Sequence, residues 1–191
     1  MSTTIEIEFK NMLSETEYNQ LLLSFSITPE QIWRQKNVYF DTLSSALKEQ
    51  KAALRVRIKN NTYELTLKTH AAVGLLETNQ MITQTDYENI INHNIFPQGP
   101  VFHTLRSISI DPTQLQVTTD LTTDRAEVDY DGGLLVFDKN YYHDIIDFEL
   151  EYEVTDYDTG LKSFEAFLTQ YNIKIRPAQN KIKRALTAKN A

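Results

Sequence analysis

The sequence predicts an α+β protein built on an antiparallel β-barrel with a charged lumen and helices packed outside it. Three observations predict this. Several segments alternate apolar and charged residues with period 2, the pattern of a strand with two unlike faces. On those segments the charges are sorted by sign: Arg55, Arg57 and Lys59 share one strand face, and Asp147, Glu149, Glu151 and Glu153 share another. Like charges along one face repel, and the cost is relieved if basic and acidic strands look into one shared space. A closed antiparallel sheet has such a space, because inward positions alternate with outward ones. Finally, the segments between strands carry one apolar stripe at helical spacing, suited to cover an apolar outer wall.

Each element has its own signal. Glu6-Ile7-Glu8-Phe9-Lys10 opens the sheet, with Ile5, Ile7 and Phe9 on one side and Glu6, Glu8 and Lys10 on the other. Ser14-Glu15-Thr16-Glu17 has the spacing of a capping box and predicts a helix over 15–25 with Tyr18, Leu21, Leu22 and Phe25 on one face. Thr28-Pro29 interrupts the chain. Residues 31–42 are strand-like, and 43–50 form a short helix-permissive stretch without a clear cap. Residues 54–59 and 63–68 make a hairpin about Asn60-Asn61, since Asn tolerates positive φ. A strand over 75–83 carries Glu77, and helices follow over 86–94 and 100–108. The run 115–130 is long for one strand, and a break or bulge is expected near 120–123. Asp131-Gly132-Gly133 is a hairpin turn, followed by strands over 134–139 and 145–155. Helices over 159–171 and around 180–188 end the chain.

Composition narrows the function. The 191 residues carry a net charge of −7, which disfavours a general nucleic-acid or membrane-surface binder. There is no cysteine, so disulfides, thiolate zinc sites and a cysteine nucleophile are excluded. Neither a Walker-type nor a Rossmann-type glycine loop is present. The N-terminal residues lack a signal-peptide pattern and no apolar run is long enough to span a bilayer, so a cytoplasmic protein is expected.

A barrel of this kind would gather Lys10, Arg55, Arg57, Lys68 and Arg125 as cations in its lumen. Glu6, Glu8, Glu149 and Glu151 would join them as anions, with Asp138 nearby. Converging Lys and Arg side chains suit a chain of phosphates, and hard carboxylates beside them suit Mg²⁺ or Mn²⁺. The expectation is a metal-dependent site for a phosphate chain.

The ordered motifs carry a resemblance. Glu6-x-Glu8-x-Lys10, Tyr39-Phe40-Asp41-Thr42, Leu54-Arg55-Val56-Arg57 and Leu65-Thr66-Leu67-Lys68 come first. Thr123-Asp124-Arg125, Asp138, Glu149-Leu150-Glu151 and Asn180-Lys181-x-x-Arg184 follow. In this order and across nearly the whole chain they resemble the CYTH superfamily, the triphosphate tunnel metalloenzymes. The small stand-alone proteins of Gram-positive bacteria often labelled adenylate cyclases are the most similar type. The resemblance implies one CYTH domain over 1–191, an eight-stranded antiparallel tunnel, a small-molecule triphosphate and a divalent metal. It implies metal ligation by Glu6, Glu8, Glu149 and Glu151 with Asp138 assisting. Lys10, Arg55, Arg57, Lys68 and Arg125 would hold the triphosphate, joined by Lys181 and Arg184 from the C-terminal segment. Lys10, Glu8 and Glu149 are the expected catalytic residues.

Many members have a basic residue two positions after the Asp138 equivalent. Here that position is Asn140, and Lys139 would point the other way on an ideal strand, so either a bulge restores the contact or it is missing. Glu64, Glu77 and Glu127 fit the pattern too, as ligands or as partners of the basic residues. Hydrolysis of a triphosphate ranks first, inorganic triphosphate and nucleoside or thiamine triphosphates being the substrates in view. The alternatives are a class IV-type adenylate cyclase making cyclic AMP from ATP, and a non-enzymatic nucleotide or polyphosphate sensor. Trp33, Tyr39 and Tyr63 are the ring-stacking candidates, although strand aromatics are usually core. His70, His93, His103 and His143 share no ligand spacing and are expected to be structural or solvated. The oligomeric state stays open, a dimer among the options.

Overall fold

The computed structural model describes residues 2–72 and 74–189, and these form eight strands and six α-helices. They are β1 (Ser2–Leu13), α1 (Glu15–Ser24), β2 (Trp33–Thr42), α2 (Ala46–Glu49), β3 (Ala53–Lys59), β4 (Thr62–His70) and β5 (Leu75–Ile82). After these come α3 (Gln84–His93), α4 (Pro100–Ser107), β6 (Leu115–Tyr130), β7 (Gly133–Tyr142), β8 (Ile145–Val154), α5 (Tyr157–Gln170) and α6 (Lys181–Lys189). Hydrogen-bonded neighbours run in the order β1-β5-β4-β3-β2-β6-β7-β8 and close into a barrel. The chain groups into two compact units. One is formed mainly by Gln35–Asp120, the other by Glu6–Arg34 and the chain from Leu121 onward.

In the first unit, Leu54, Val56, Leu65 and Leu67 are fully buried on one face of β3 and β4. They pack with Leu47 of α2, Ile90 of α3, and Val101 and Leu105 of α4. The opposite face carries Arg55, Arg57 and Lys68, so the period-2 pattern separates core from charge. Asn60 and Asn61 have φ of 47° and 58°, the pair of positive values a two-residue hairpin turn of the primed type requires. The cap of α2 lies upstream of the helix. Asp41 Oδ1 accepts from the Leu47 backbone N–H at 2.9 Å and Thr42 Oγ1 from that of Ala46 at 2.9 Å. Thr83 and Asp86 form a second capping box, so α3 starts two residues earlier than its apolar pattern indicates.

In the second unit, Leu135, Phe137, Phe148, Leu150 and Tyr152 pack against Tyr18 and Leu21 of α1 and Phe164, Phe167 and Leu168 of α5. The Ser14–Glu17 capping box forms as the spacing predicts. A Cβ on Gly160 would lie 2.6 Å from Val154 Cγ2, so only glycine lets α5 seat this closely. The expected break in β6 is absent. The strand runs unbroken for 16 residues, because Thr is a good strand former and the alternation continues through 119–125, with Thr119, Leu121, Thr123 and Arg125 all buried.

Candidate active site

In the second unit the charged faces of β1, β6, β7 and β8 form one network with α6. Lys10 lies opposite Glu151 in the β1–β8 register. Its Nζ is 3.0 Å from Glu151 Oε1 and 2.9 Å from Glu8 Oε1. Arg125 lies opposite Asp138 and grips it with both prongs, Nε–Oδ1 at 2.7 Å and Nη2–Oδ2 at 2.6 Å. Its Nη2 also donates to Glu151 Oε2 at 2.8 Å. Lys181, the first residue of α6, places Nζ 2.6 Å from Glu151 Oε1, 2.8 Å from Glu149 Oε2 and 2.9 Å from Asp138 Oδ2. One turn later Arg184 reaches Glu149 Oε2 at 2.7 Å and Asp147 Oδ2 at 2.8 Å.

A strap seats α6. The Asn11 side chain donates to the Lys174 carbonyl and accepts from the Arg176 N–H, and Arg176 pairs with Glu17 at 2.8 Å.

Burial raises the stakes of each pair, because a buried charge without a partner is costly. Burial alone would lower Lys10, but Glu151 and then Glu8 outweigh it and hold the amine above its ordinary range. Burial opposes ionisation of Glu151 as well, yet Lys10, Lys181 and Arg125 drive it well below the usual carboxylate range. Lys181 is held well above the amine range, against burial, by Asp138, Glu149 and Glu151. Glu153 behaves differently. Burial pushes it up to about 7, with Glu151 and more weakly Glu6 and Glu8 adding to this against the pull of Arg125.

These residues fit a hard divalent ion. Carboxylate oxygens of Glu6, Glu8 and Glu153 lie within 4.8 Å of one another, an all-oxygen donor set of the kind Mg²⁺ and Mn²⁺ prefer. Glu149 Oε1 is buried and has no hydrogen-bond partner, a lone pair turned away from water with nothing to hold. Asp138, expected to assist at the metal, lies in the same network, engaged by Arg125 and Lys181.

In the first unit, Arg55, Arg57 and Lys68 lie half-buried on the charged face of β3 and β4. Arg57 Nε donates to Asn37 Oδ1 at 3.3 Å, and Lys68 pairs with Glu77 at 2.6 Å. Arg55 Nε is buried without a hydrogen-bond partner. Glu77 is thus a partner of a basic residue, as is Glu127 at 3.8 Å from Arg125, and Glu64 lies opposite Arg57 in register.

The question at Asn140 is answered by register. β7 pairs without interruption with both β6 and β8, so no bulge turns Lys139 inward. Its Nζ sits 5.6 Å from the centroids of the Tyr141 and Phe148 rings on the other face. Asn140 is buried, accepting from Thr123 Oγ1 at 2.8 Å and donating to Asp147 Oδ1 at 3.0 Å. Asn140, a neutral residue, thus stands where the resemblance implies a basic one.

Tyr63 is half-buried and packs against the core, its ring 5.2 Å from Tyr87. Tyr39 is buried on the strand face of Arg55, opposite it in register. All four histidines are exposed. Sequence reasoning left Glu153 and Asp147 out of the site. The alternation along β8 marks both, but only the register opposite Glu8 and the position of Arg184 give them partners.

The profile of the CYTH domain family matches residues 4–186. The chain belongs to the CYTH domain family. Among curated proteins, this CYTH chain is 42% identical to the Bacillus subtilis protein named "Putative triphosphatase YjbK", over 96% of the chain and 95% of that protein. Among solved structures it is similar to a Bacillus halodurans protein described as "a putative adenylate cyclase", at 36% identity and a TM-score of 0.93, covering 96% and 98% of the two chains. A Hippeastrum protein, described as an adenylyl cyclase candidate with a dominant triphosphatase activity, shares the fold at 19% identity, with a TM-score of 0.77 and 97% and 96% coverage.

Proposed function

We propose that the protein hydrolyses the terminal phosphoryl group of a short triphosphate with the help of Mg²⁺ or Mn²⁺. The observation that carries this reading is the convergence of Lys10, Arg125, Lys181 and Arg184 on Glu8, Asp138, Glu149 and Glu151 in one buried network. Cations alone would suit a phosphate sensor. Cations interleaved with carboxylates suit a phosphate chain that brings a metal. The 42% identity to a protein named as a triphosphatase supports the same reading.

In this proposal Glu6, Glu8, Glu149 and Glu151 hold the ion, with Glu153 joining the first pair and Asp138 held beside them by Arg125. When bound, the ion neutralises charge on the phosphate oxygens and polarises the bond to be broken. Lys10 donates to an oxygen of the terminal phosphoryl group, and Arg125, Lys181 and Arg184 to neighbouring oxygens. Arg55, Arg57 and Lys68 take phosphate oxygens in the same way. Glu149 Oε1 has an unused lone pair; it orients a water in line with the breaking P–O bond and takes its proton. Water adds to the terminal phosphorus as the bond to the bridging oxygen breaks, which releases phosphate and, from inorganic triphosphate, diphosphate. Positioning and fixed charges carry the rate.

Cyclisation of ATP is the second reading, favoured by the likeness to a structure described as an adenylate cyclase. It requires a nucleoside pocket, and Tyr63 is engaged by Tyr87 and the core cluster it packs against. No helix of the described residues is long and apolar enough to cross a membrane; we place the protein in the cytoplasm, acting on a small molecule. Glu8→Gln removes one carboxylate charge at nearly constant shape. It should cut divalent-dependent phosphate release by about 10²-fold or more, and full turnover in this variant would overturn the assignment.

A further inference from the structure

Lys181 sits where a cation ligand would. Its ammonium lies 2.6–2.9 Å from three different carboxylates, Asp138, Glu149 and Glu151, and donates to Glu151. Glu149 and Glu151 are two of the carboxylates assigned to the metal above, and Asp138 lies beside them. Around them, Lys10, Arg125, Lys181 and Arg184 face Glu8, Asp138, Asp147, Glu149 and Glu151, so most of the acidic charge already has a basic partner in the protein. A bare divalent ion arriving there would meet the ammonium of Lys181 at contact distance, and like charges in a low-dielectric pocket repel strongly. A bare triphosphate would meet carboxylates already facing it. A metal–triphosphate complex solves both problems: the ion replaces Lys181 on the carboxylates, and the phosphate oxygens receive the displaced ammonium. Lys181 is placed to make that exchange, because it heads α6 rather than lying on a strand, and the strap through Asn11 and Arg176 anchors the chain just before it.

We propose that Lys181 is a stand-in cation that keeps free divalent metal out of the Asp138–Glu149–Glu151 pocket, so that the form of substrate admitted is triphosphate already carrying its ion. This rests on the hydrolase reading for the identity of the ligand, but its test does not depend on turnover.

The test is Mn²⁺ binding to the full chain without any triphosphate, followed by electron paramagnetic resonance or calorimetry. Lys181→Gln should bind Mn²⁺ about tenfold more tightly than wild type or more, because the competing charge is gone. Lys181→Arg keeps the charge and should stay near wild type. If Lys181→Gln does not yield folded protein by circular dichroism, Ala185→Arg provides the second route. Ala185 is buried on α6, so the variant unseats the helix with Lys181 intact, and it should show the same gain. Folded Lys181→Gln or Ala185→Arg binding Mn²⁺ no more tightly than wild type overturns the proposal, as does an equal gain in Lys181→Arg. Phosphate release by wild type is scored separately. Its absence with every divalent ion overturns the hydrolase reading and leaves the metal-only comparison standing as the test of Lys181.

Discussion

The two units put opposite kinds of charged wall on the same kind of sheet. The wall of β1, β6, β7 and β8, with α6, is locked: Arg125, Lys10 and Lys181 each hold two or more carboxylates at 2.6–3.0 Å. On the wall of β3 and β4, Arg57 donates at 3.3 Å to the Asn37 amide and Lys68 pairs with Glu77 at 2.6 Å, while Arg55 Nε has no hydrogen-bond partner. A buried charge held by several opposite charges is structural first, because removing it strands its partners. A half-buried cation with an unsatisfied N–H, as at Arg55, can take a phosphate oxygen without stranding a partner, which is what binding a phosphate requires. The difference teaches that equal-looking basic residues on one sequence pattern divide into those that build the site and those that wait for the ligand.

The largest effect expected from this division is on Arg125. Arg125→Met leaves Asp138 and Glu151 short of their shared partner and should cost about 3–5 kcal/mol of stability, read by urea unfolding, along with activity. A loss under about 1 kcal/mol would break the comparison. Next comes Arg55→Ala. It should lower kcat/KM for a triphosphate by about 10²-fold while changing unfolding stability by less than about 1 kcal/mol. A fall in stability as large as that of Arg125→Met would show that both walls are built alike.

The smallest effect sharpens the account of the strap. Burial disfavours the Glu17 carboxylate, but Arg176 and the Ser14 cap outweigh it and hold the group down at about 2, from 4.5. A depressed carboxyl contributes stability above the unfolded value, and that contribution is lost as pH falls from about 4.5 through about 2. Glu17→Gln should cost about 1 kcal/mol at neutral pH and flatten that part of the acid-unfolding curve. An unchanged curve would mean that Glu17 does not tie Arg176 down.

Much of this was legible in the sequence. Period 2 marks the strands, the sorted signs turn their charged faces inward, and Ser14-x-x-Glu17 marks the start of α1, because each depends on neighbours within a few residues. The cap of α2 was missed because Asp41 acts from the preceding strand, across residues that give no local cap signal. The break expected in β6 came from a polar Thr/Asp run, and continuous pairing overrode it. Lys139 and Asn140 could not be separated without the register that turns one onto Tyr141 and buries the other beside Asp147. Glu153 and Asp147 were visible as acidic strand positions, but their partners come from β1 and α6, far away in the chain. The seating of Lys181 among three carboxylates depends on where a terminal helix docks, which no short-range pattern encodes.

The central claim is metal-dependent hydrolysis of a triphosphate. Its most direct test is one panel on the purified protein: inorganic triphosphate, ATP, GTP and thiamine triphosphate, each with Mg²⁺, with Mn²⁺ and with chelator, scored for released phosphate and for cyclic AMP. The account predicts phosphate release that requires the divalent ion, and no cyclic AMP from ATP. Cyclic AMP as the main product, or tight triphosphate binding with no phosphate released under any divalent ion, would contradict it.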